Sequence, residues 1–315
     1  MNFAAGAYLK RFSPNIGYRL IWKKWAMLLT LDRPVDWLIL GDSSGNQGVM
    51  PKLIEQRLGG KAVNLCTIGN MLVLDDAWML EAYLRRFDPP KHVILVHVHD
   101  VWHREPDLAV LAQAPVSWKD WLDFKRVIRM SSRDALTIAL ARHAPLFSQN
   151  LSLAEVIRHP SKAFRAGDPI DSDGFMAVRQ ADPSQVIADA QGHAKFAGEN
   201  PFVMSQTNEE ALKRIISLAE TRGFDVYAAQ SPLYEELYRD PSFRKYFESL
   251  QHRLAAYTEE NRRFHVLFAI PMLFSKEQME NANHLTDRAA RLYTEELISQ
   301  LALDDSLRSS TMRRR

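Results

Sequence analysis

The feature that most constrains the fold is an alternation of short apolar runs with helix-length segments. Five runs have the apolar, β-branched character of buried strands, and they cover residues 35–40, 61–67, 92–98, 225–230 and 265–270. Parallel strands need crossovers of helix length, and such crossovers are right-handed. The sequence therefore predicts a three-layer α/β/α sandwich around a five-stranded parallel sheet.

Helical patterns occupy most of the segments between these strands. Apolar residues recur at helical spacing in residues 49–58, 74–87, 208–222, 242–261 and 287–301. Glycines or prolines end three of these patterns, at Gly59-Gly60, Pro89-Pro90 and Gly223. Both residue types are common just beyond a helix C-terminus, which supports the assignment.

The alternation breaks between the third and fourth strands. Residues 104–205 contain the helical segments 117–129 and 132–142, followed by a loop-like stretch, 166–201, rich in Gly, Asp and Pro. We interpret this part as a helical insertion. The predicted organisation is an N-terminal helical segment (1–34), an α/β domain with the insertion (35–303), and a disordered basic tail (304–315).

Composition narrows the class of protein. The chain has 315 residues, of which 46% are hydrophobic and 25% charged, as in a globular domain. The formal net charge of +2 gives no reason to expect a nucleic-acid partner. The single cysteine, Cys66, excludes an internal disulfide and favours a reducing compartment.

The N-terminal segment has two interpretations. No apolar run is long enough to span a bilayer, and no secretory signal is recognisable, so a cytoplasmic location is expected. One helical face of residues 18–29 is apolar, and it carries Tyr18, Ile21, Trp22, Trp25, Leu28 and Leu29. This helix either packs on the domain or rests on the inner face of the membrane as a peripheral contact.

Polar residues follow each predicted strand, at the edge of the sheet where ligands of such folds bind. In chain order these stretches are Gly41-Asp42-Ser43-Ser44, Thr67-Ile68-Gly69-Asn70, His97-Val98-His99-Asp100, Gln230-Ser231 and Asn281-Ala282-Asn283-His284. Taken singly, each is explained as a helix cap or a turn. No Gly-Lys-Ser/Thr follows Gly45 and Gly48, so a P-loop is excluded.

The third strand end also permits a metal site. His97 and His99 lie on one face of the strand, and His103 follows closely. Asp100 directly follows His99, which breaks the His-x-His-x-Asp-His order of metallo-β-lactamases. A metal-dependent hydrolase that uses His97, His99 and His103 is thus only an alternative. The preferred prediction contains no metal and no cofactor.

Together these stretches resemble the motif blocks of the SGNH/GDSL hydrolase superfamily, in its bacterial branch associated with acylation of surface polysaccharides. Gly41-Asp42-Ser43 matches the first block and Gly69 the second. His97-Val98-His99-Asp100 takes the place of the third block, and Asn281-Ala282-Asn283-His284-Leu285 that of the last. The resemblance implies a flavodoxin-like sandwich and an esterase or O-acyltransferase acting on an acylated carbohydrate or surface-glycan precursor.

The resemblance also implies roles for individual residues. Ser43 is the nucleophile and His284 its base. The oxyanion hole consists of the backbone N–H groups of Ser43 and Gly69 and the side chain of His99, which replaces the asparagine of the third block. Four polar residues near the strand ends are assigned to substrate binding: Asp42, Asn70, Asp100 and Ser231.

The last block departs from the family pattern at the residue that orients the base. Asn281 stands where the family has aspartate, and in a serine protease the same change lowers kcat by about 10⁴-fold. Glu280 is a neighbouring carboxylate that could substitute. The alternative to an enzyme is therefore a catalytically impaired member of the fold that binds a glycan or a partner protein.

Overall fold

The structure is a computed structural model that describes residues 2–312 except 127, 129, 161–169 and 269, with the backbone alone for 304–312. The central sheet is entirely parallel, as predicted. The strands are β1 (Trp37–Gly41), β2 (Ala62–Asn64), β3 (His92–His97), β4 (Asp225–Gln230), β5 (Leu233–Tyr234), β6 (Phe264–Leu267), β7 (Leu273–Phe274), β8 (Met279–Asn281) and β9 (His284–Leu285).

The sheet has the order β2-β1-β3-β4-β6, the flavodoxin-like arrangement. From β1 the chain first moves to one side of the sheet to form β2, and it then crosses to the other side of β1 to form β3 and the later strands. The short strands β5 and β7 form a separate parallel pair, and β8 and β9 form an antiparallel hairpin. The carboxyl ends of β1 and β3 are therefore neighbours at the switch point where such folds bind ligands.

Helices flank the sheet on both faces. They are α1 (Asn2–Phe12), α2 (Ile16–Thr30), α3 (Ser43–Gly48), α4 (Pro51–Leu58), α5 (Leu72–Leu84), α6 (Leu108–Leu111), α7 (Trp118–Asp123), α8 (Ser132–His143), α9 (Pro145–Ser148), α10 (Asn150–Arg158), α11 (Pro183–Glu199), α12 (Gln206–Arg222), α13 (Glu235–Arg239), α14 (Pro241–Glu260) and α15 (Asp287–Met312).

Two hydrophobic cores lie on opposite faces of the sheet, because successive strand residues point to opposite sides. Leu38 and Leu40 pack in the core that includes α2, α5 and α12. Trp37 and Ile39 pack in the other core, with α4, α11 and α15. The three-layer sandwich predicted from the sequence is confirmed.

The N-terminal helix α2 packs on the domain, as the first of the two interpretations expects. Most of its apolar face, including Tyr18, Ile21, Trp25 and Leu28, is buried in the core. Trp25 Nε1 also donates a hydrogen bond to Asp75 at 3.0 Å. This apolar face therefore packs against the rest of the domain. Among the described residues, no helix has the length and apolar character needed to cross a membrane.

The insertion lies between β3 and α12 and contains helices α6–α11. Residues 183–199 were predicted to be part of a loop, and this prediction is wrong, because α11 occupies them. Asp182 caps the helix by accepting the backbone N–H of Gln185, and Pro183 occupies its first turn. Gly192 and Gly198 obscured the helical pattern, although Val186, Ala190 and Ala197 face the core at helical spacing.

Two other boundaries differ from the prediction. The helix expected over residues 117–129 is only α7, which ends at Asp123. The last helix extends to Met312, beyond the expected domain boundary at residue 303. Residues 313–315 of the predicted tail lie outside the described residues.

Candidate active site

Ser43 occupies the turn between β1 and α3. The turn begins at Gly41, whose φ of +139° favours glycine, and a Cβ there would lie 2.0 Å from the carbonyl oxygen of Val96 on β3. Asp42 then caps α3, and Ser43 is the first residue of that helix. The close approach of β1 and β3 thus sets the position from which the Ser43 side chain projects.

Asp42 ties this turn to the end of β3. One carboxylate oxygen accepts the backbone N–H and the hydroxyl of Ser44 at 2.8 and 2.6 Å, and the other accepts the N–H of Val98 at 2.7 Å. Burial alone would raise its pKa, but these donors and the nearby His97 hold the pKa of Asp42 at about 2. Asp42 was predicted to bind substrate; in the structure its carboxylate is buried and holds the Ser43 turn against the end of β3.

His284 meets Ser43 across the site. Its Nε2 lies 2.8 Å from Ser43 Oγ. The residue begins β9 and pairs with Asn281 of β8, so the hairpin, which the sequence did not predict, fixes the ring's position. Burial lowers the pKa of His284, and this effect is larger than the opposing effect of carboxylates such as Asp42 and Glu280. The imidazole is therefore neutral at neutral pH, as a general base requires.

Asn281 contacts the other side of the ring. Its side-chain nitrogen lies 2.5 Å from His284 Nδ1, and its side-chain oxygen accepts the backbone N–H of Asn283 at 3.0 Å. The second contact determines the amide orientation, because only the oxygen can accept. Since an amide nitrogen only donates, His284 Nδ1 accepts and its proton sits on Nε2. In this tautomer Nε2 donates to Ser43 and cannot take the proton of the serine.

Glu280 is a carboxylate near His284. Its Oε2 lies 4.0 Å from His284 Nδ1, and the same oxygen accepts a hydrogen bond from Gln47 at 3.3 Å. The Glu280 side chain is 43% exposed. It can therefore support a positive charge on His284 only through a solvent-screened interaction.

Gly69 lies at the start of a short 3₁₀ turn, Gly69–Met71, after β2. A Cβ at this position would lie 2.7 Å from a guanidinium nitrogen of Arg104, so a larger residue here would displace that side chain. Arg104 donates to Asn70 Oδ1 at 2.8 Å and to Asp100 Oδ2 at 2.7 Å. Arg104, which the sequence did not single out, thus links the segments that follow β2 and β3.

A cavity of about 630 Å³ opens beside these segments. Its lining includes Asn70 and Asp100, two of the predicted substrate-binding residues, together with Arg104, Phe196 and Ser205. Its volume is within the range of small-molecule sites. Ser231, the fourth predicted substrate-binding residue, does not line it and is fully buried after β4.

His99 joins a network that reaches into the insertion. Its Nε2 lies 3.1 Å from Nδ1 of His193 on α11, and His193 Nε2 lies 3.3 Å from the side-chain nitrogen of Asn283. Asp189, one turn earlier on α11, lies 3.5 Å from His193 Nε2 and accepts the backbone N–H of Ala282. Helix α11 thereby connects the end of β3 to the loop that carries His284.

The three histidines of the metal alternative point to different partners. His97 contacts Asp76, His99 contacts His193, and the ring of His103 packs against Phe196. In the described part of the chain, no three His, Cys, Asp or Glu side chains are grouped as a metal site would need. The structure therefore does not bring His97, His99 and His103 together.

Unpartnered buried polar atoms concentrate at this edge of the sheet. Within the described ranges, buried side-chain atoms without a hydrogen-bond partner include Asn46 Oδ1, Gln47 Oε1, His99 Nδ1, Asp100 Oδ1, both amide atoms of Gln230 and Ser231 Oγ. Buried polar groups are normally satisfied, and exceptions often mark functional sites. These atoms belong to residues at or just after the carboxyl ends of β1, β3 and β4.

Sequence reasoning missed His193, Asp189 and Arg104. Asp189 and His193 are four residues apart, a spacing that places both on one helix face. That signal becomes readable only once residues 183–199 are recognised as a helix. Arg104 is four residues after Asp100, in a segment without a regular pattern.

The chain matches no protein-family model, and no significant match is found among the curated proteins.

Proposed function

We propose that this protein is an SGNH-type serine ester hydrolase or O-acyltransferase, with Ser43 as nucleophile and His284 as base. The observation that carries the proposal is the 2.8 Å contact between Ser43 Oγ and His284 Nε2 at the carboxyl end of β1. A serine and a neutral histidine in hydrogen-bond contact are the minimal parts of nucleophilic acyl transfer.

In the proposed reaction, Ser43 Oγ bonds to the carbonyl carbon of the ester and its proton passes to His284. The carbonyl electron pair moves to oxygen, where the backbone N–H groups of Ser43 and Gly69 and the side chain of His99 stabilise it. Collapse of this intermediate expels the alcohol, which takes the proton from His284. Water or an acceptor hydroxyl then releases the acyl group by the same steps in reverse.

The first step requires a change of tautomer at His284. In the resting arrangement its proton lies on Nε2, since Asn281 donates to Nδ1. The proton must reach Nδ1 before Nε2 can accept from Ser43. We therefore expect a slow enzyme, limited by the population of the competent tautomer.

The proposed substrate is an acylated carbohydrate or a related glycan precursor. The cavity of about 630 Å³ has a lining that does not include Ser43 or His284, but Asn70, Asp100, Arg104, Ser205 and Gln206 supply donors and acceptors there for sugar hydroxyl groups outside the reacting bond. Discrimination between water and a sugar hydroxyl as acceptor would determine whether the protein acts as a hydrolase or a transferase.

A second candidate function follows from the same tautomer. A site whose base cannot accept the serine proton could bind an acylated glycan, or a partner protein, without cleaving it. The observation that favours this candidate is the pinned amide of Asn281, held by the backbone N–H of Asn283. The protein would then bind its ligand at this site without catalysing a reaction.

Hydrolysis of 4-nitrophenyl acetate and of an O-acetylated sugar by four proteins separates these candidates. The proteins are the wild type, Ser43→Ala, His284→Ala and, as a matched control, Ser249→Ala on the exposed part of α14. We expect hydrolysis by the wild type and the control alone. In subtilisin, removal of the serine costs about 10²-fold more in kcat than removal of the aspartate alone. We expect a loss of this size in Ser43→Ala, because the site has no aspartate beside His284 Nδ1.

A fluorophosphonate probe provides a second readout that needs no acceptor. Because it labels activated serines covalently, the wild type should be labelled at Ser43 and Ser43→Ala should not. Hydrolysis that persists in Ser43→Ala would contradict the enzyme proposal. Absence of both hydrolysis and labelling, with retained binding of the acetylated sugar, would favour the binding protein.

A further inference from the structure

Helices α1, α8, α9 and α10 form one group, because α9 packs on each of the other three. Among the described residues, seven large apolar side chains are at least 60% exposed. Five of the seven lie in this helical group: Phe3, Leu136, Phe147, Leu151 and Ile157. Isolated exposed apolar side chains are normal on a protein surface, whereas a concentration of them marks an interaction surface.

The helices of this group bury little of their own surface. The buried residues are Leu9 in α1, Ile138 and Ala141 in α8, Pro145 in α9 and Ser152 in α10. Helices of this length are marginal in water unless an apolar face packs against something. The group therefore carries apolar area that the described part of the chain leaves uncovered.

Two exposed phenylalanines lie at the junction of α1 and α9. The backbone N–H of Leu146 donates to Asn2 Oδ1 at 3.3 Å, so the first turns of the two helices are in contact. Phe3 follows Asn2 and is 89% exposed, and Phe147 follows Leu146 and is 67% exposed. Both rings are consequently available to one partner at the same junction.

The N-terminal helices also carry a concentrated positive charge. Residues 2–30 contain five Lys and Arg and no Asp or Glu, whereas the rest of the chain has three more acidic than basic residues. Lys10 and Arg11 are exposed in the last turn of α1, while Lys24 is buried. Helices α8 and α10 add three arginines and two carboxylates. The exposed apolar area thus lies in a part of the molecule that is positively charged.

This combination favours a lipid surface over the other partners that a basic surface attracts. Amphipathic helices that combine Phe and Leu with Lys and Arg bind at the interface of anionic bilayers. Nucleic acid is bound mainly through its phosphates, which leaves Phe3 and Phe147 without a role. In a two-fold dimer the same patch meets itself, so Lys10 and Arg11 of both copies would repel each other.

We propose that the group formed by α1, α8, α9 and α10 docks on an anionic phospholipid bilayer. Phe3, Phe147 and Leu151 enter the boundary between headgroups and acyl chains, and Lys10 and Arg11 contact the lipid phosphates. The membrane contact of the N-terminal segment is thereby assigned to α1, since most of the apolar face of α2 is buried. This docking is independent of the reaction proposed for Ser43.

Sedimentation with sucrose-loaded vesicles tests the apolar contribution. Wild-type protein should sediment with phosphatidylcholine vesicles that contain about 30% phosphatidylserine, and much less with phosphatidylcholine alone. The double variant Phe3→Ser, Phe147→Ser should lower the partition coefficient by about 100-fold, on the order of tenfold for each ring. The matched control is Ile187→Ser, Leu292→Ser, two exposed apolar residues on α11 and α15, which should bind as the wild type does.

The charge contribution is tested in the same assay. The double variant Lys10→Gln, Arg11→Gln should lower the partition coefficient by about 25-fold at about 0.1 M salt, roughly fivefold for each cation. The difference from the wild type should shrink at about 0.5 M salt, because salt screens the attraction. Lys10 Nζ also lies 3.5 Å from the centroid of the Trp22 ring, so Arg11→Gln is measured alone as well, with about a fivefold loss expected. The control is Lys195→Gln, Arg291→Gln, on exposed side chains of α11 and α15.

Three results would overturn the proposal. The first is wild-type protein that stays in the supernatant with anionic vesicles, and the second is vesicle binding that the phenylalanine variant leaves unchanged. The third is a dimer in analytical ultracentrifugation that the phenylalanine variant abolishes, since the group would then be an interface between two copies. Circular dichroism verifies that each variant folds. Leu151→Ser, at a side chain that is 81% exposed, gives a separate test with about a tenfold loss expected.

Discussion

His97 and His284 are both buried histidines at the carboxyl edge of the sheet, and their surroundings differ. His97 Nε2 lies 2.5 Å from Asp76, and its Nδ1 lies 3.7 Å from Asp42. Burial would lower the pKa of His97, but the two carboxylates outweigh it and raise the pKa to about 10. His284 has a serine on one side and an amide on the other, and its pKa is lowered.

The two histidines therefore differ in charge at neutral pH, since His97 is cationic and His284 is neutral. A buried cationic histidine between two carboxylates links α5, β3 and the Ser43 turn, which is a structural role. Among the described residues, no carboxylate is in hydrogen-bond contact with His284, the histidine that contacts Ser43. Asn281, which contacts His284 Nδ1, is therefore the side chain that distinguishes the surroundings of His284 from those of His97.

Replacement of Asn281 by Asp should have the largest effect on this comparison. A carboxylate beside Nδ1 accepts a hydrogen bond from the Nδ1–H group, which leaves Nε2 free to accept the proton of Ser43, and it stabilises the imidazolium. We expect kcat/KM for ester hydrolysis to rise by up to about 10⁴-fold. The gain must vanish in the Ser43→Ala, Asn281→Asp double variant. An unchanged rate would show that the tautomer of His284 does not limit the wild type.

Replacement of His97 by Gln should affect stability. It removes the cation between Asp42 and Asp76 and leaves two buried carboxylates without a neighbouring positive charge. Breaking a buried pair in this way costs about 3–5 kcal/mol of unfolding free energy, measured by urea denaturation. The control is His143→Gln on the exposed end of α8, where a change within about 0.5 kcal/mol is expected. Equal effects would contradict the role given to His97.

The pH dependence of hydrolysis should shift in the Asn281→Asp variant. His284 acts as a base only when neutral, so activity is lost as the pH falls through its pKa. Burial lowers that pKa in the wild type, and the acidic limb should therefore lie below the ordinary value of 6.5. The new carboxylate stabilises the imidazolium and should move the acidic limb to higher pH, by about one to three pH units. A shift in the opposite direction would refute the assigned contact.

Replacement of Glu280 by Gln should have the smallest effect. Its carboxylate lies 4.0 Å from His284 Nδ1 and is 43% exposed, so solvent screens the interaction. We expect kcat/KM to fall about two- to fivefold, the kinetic equivalent of a weak exposed ion pair. Glu199→Gln, on an exposed side chain of α11, should leave the rate unchanged. A fall of 10²-fold or more would make Glu280 the replacement for the missing aspartate.

The pairing of Ser43 with His284 could be anticipated from the sequence because both follow strands of one parallel sheet. Strand order then brings the ends of β1 and β3 together, and the chain after β6 returns to them through the β8–β9 hairpin. The contribution of α11 could not be anticipated. Two glycines masked the helix, and the contacts of His193 join residues about 90 positions apart in the chain.

The sequence by itself determined the parallel sandwich, the positions of Ser43 and Gly69 after its first two strands, and the presence of Asn281 three residues before His284. These are local properties, since periodicity, turn residues and residue identity can each be read within a short window. The tertiary structure decided which atom of each polar side chain faces which partner. The amide orientation of Asn281, the cationic state of His97 and the link from His193 to His99 depend on burial and on contacts between distant segments, which local pattern does not encode.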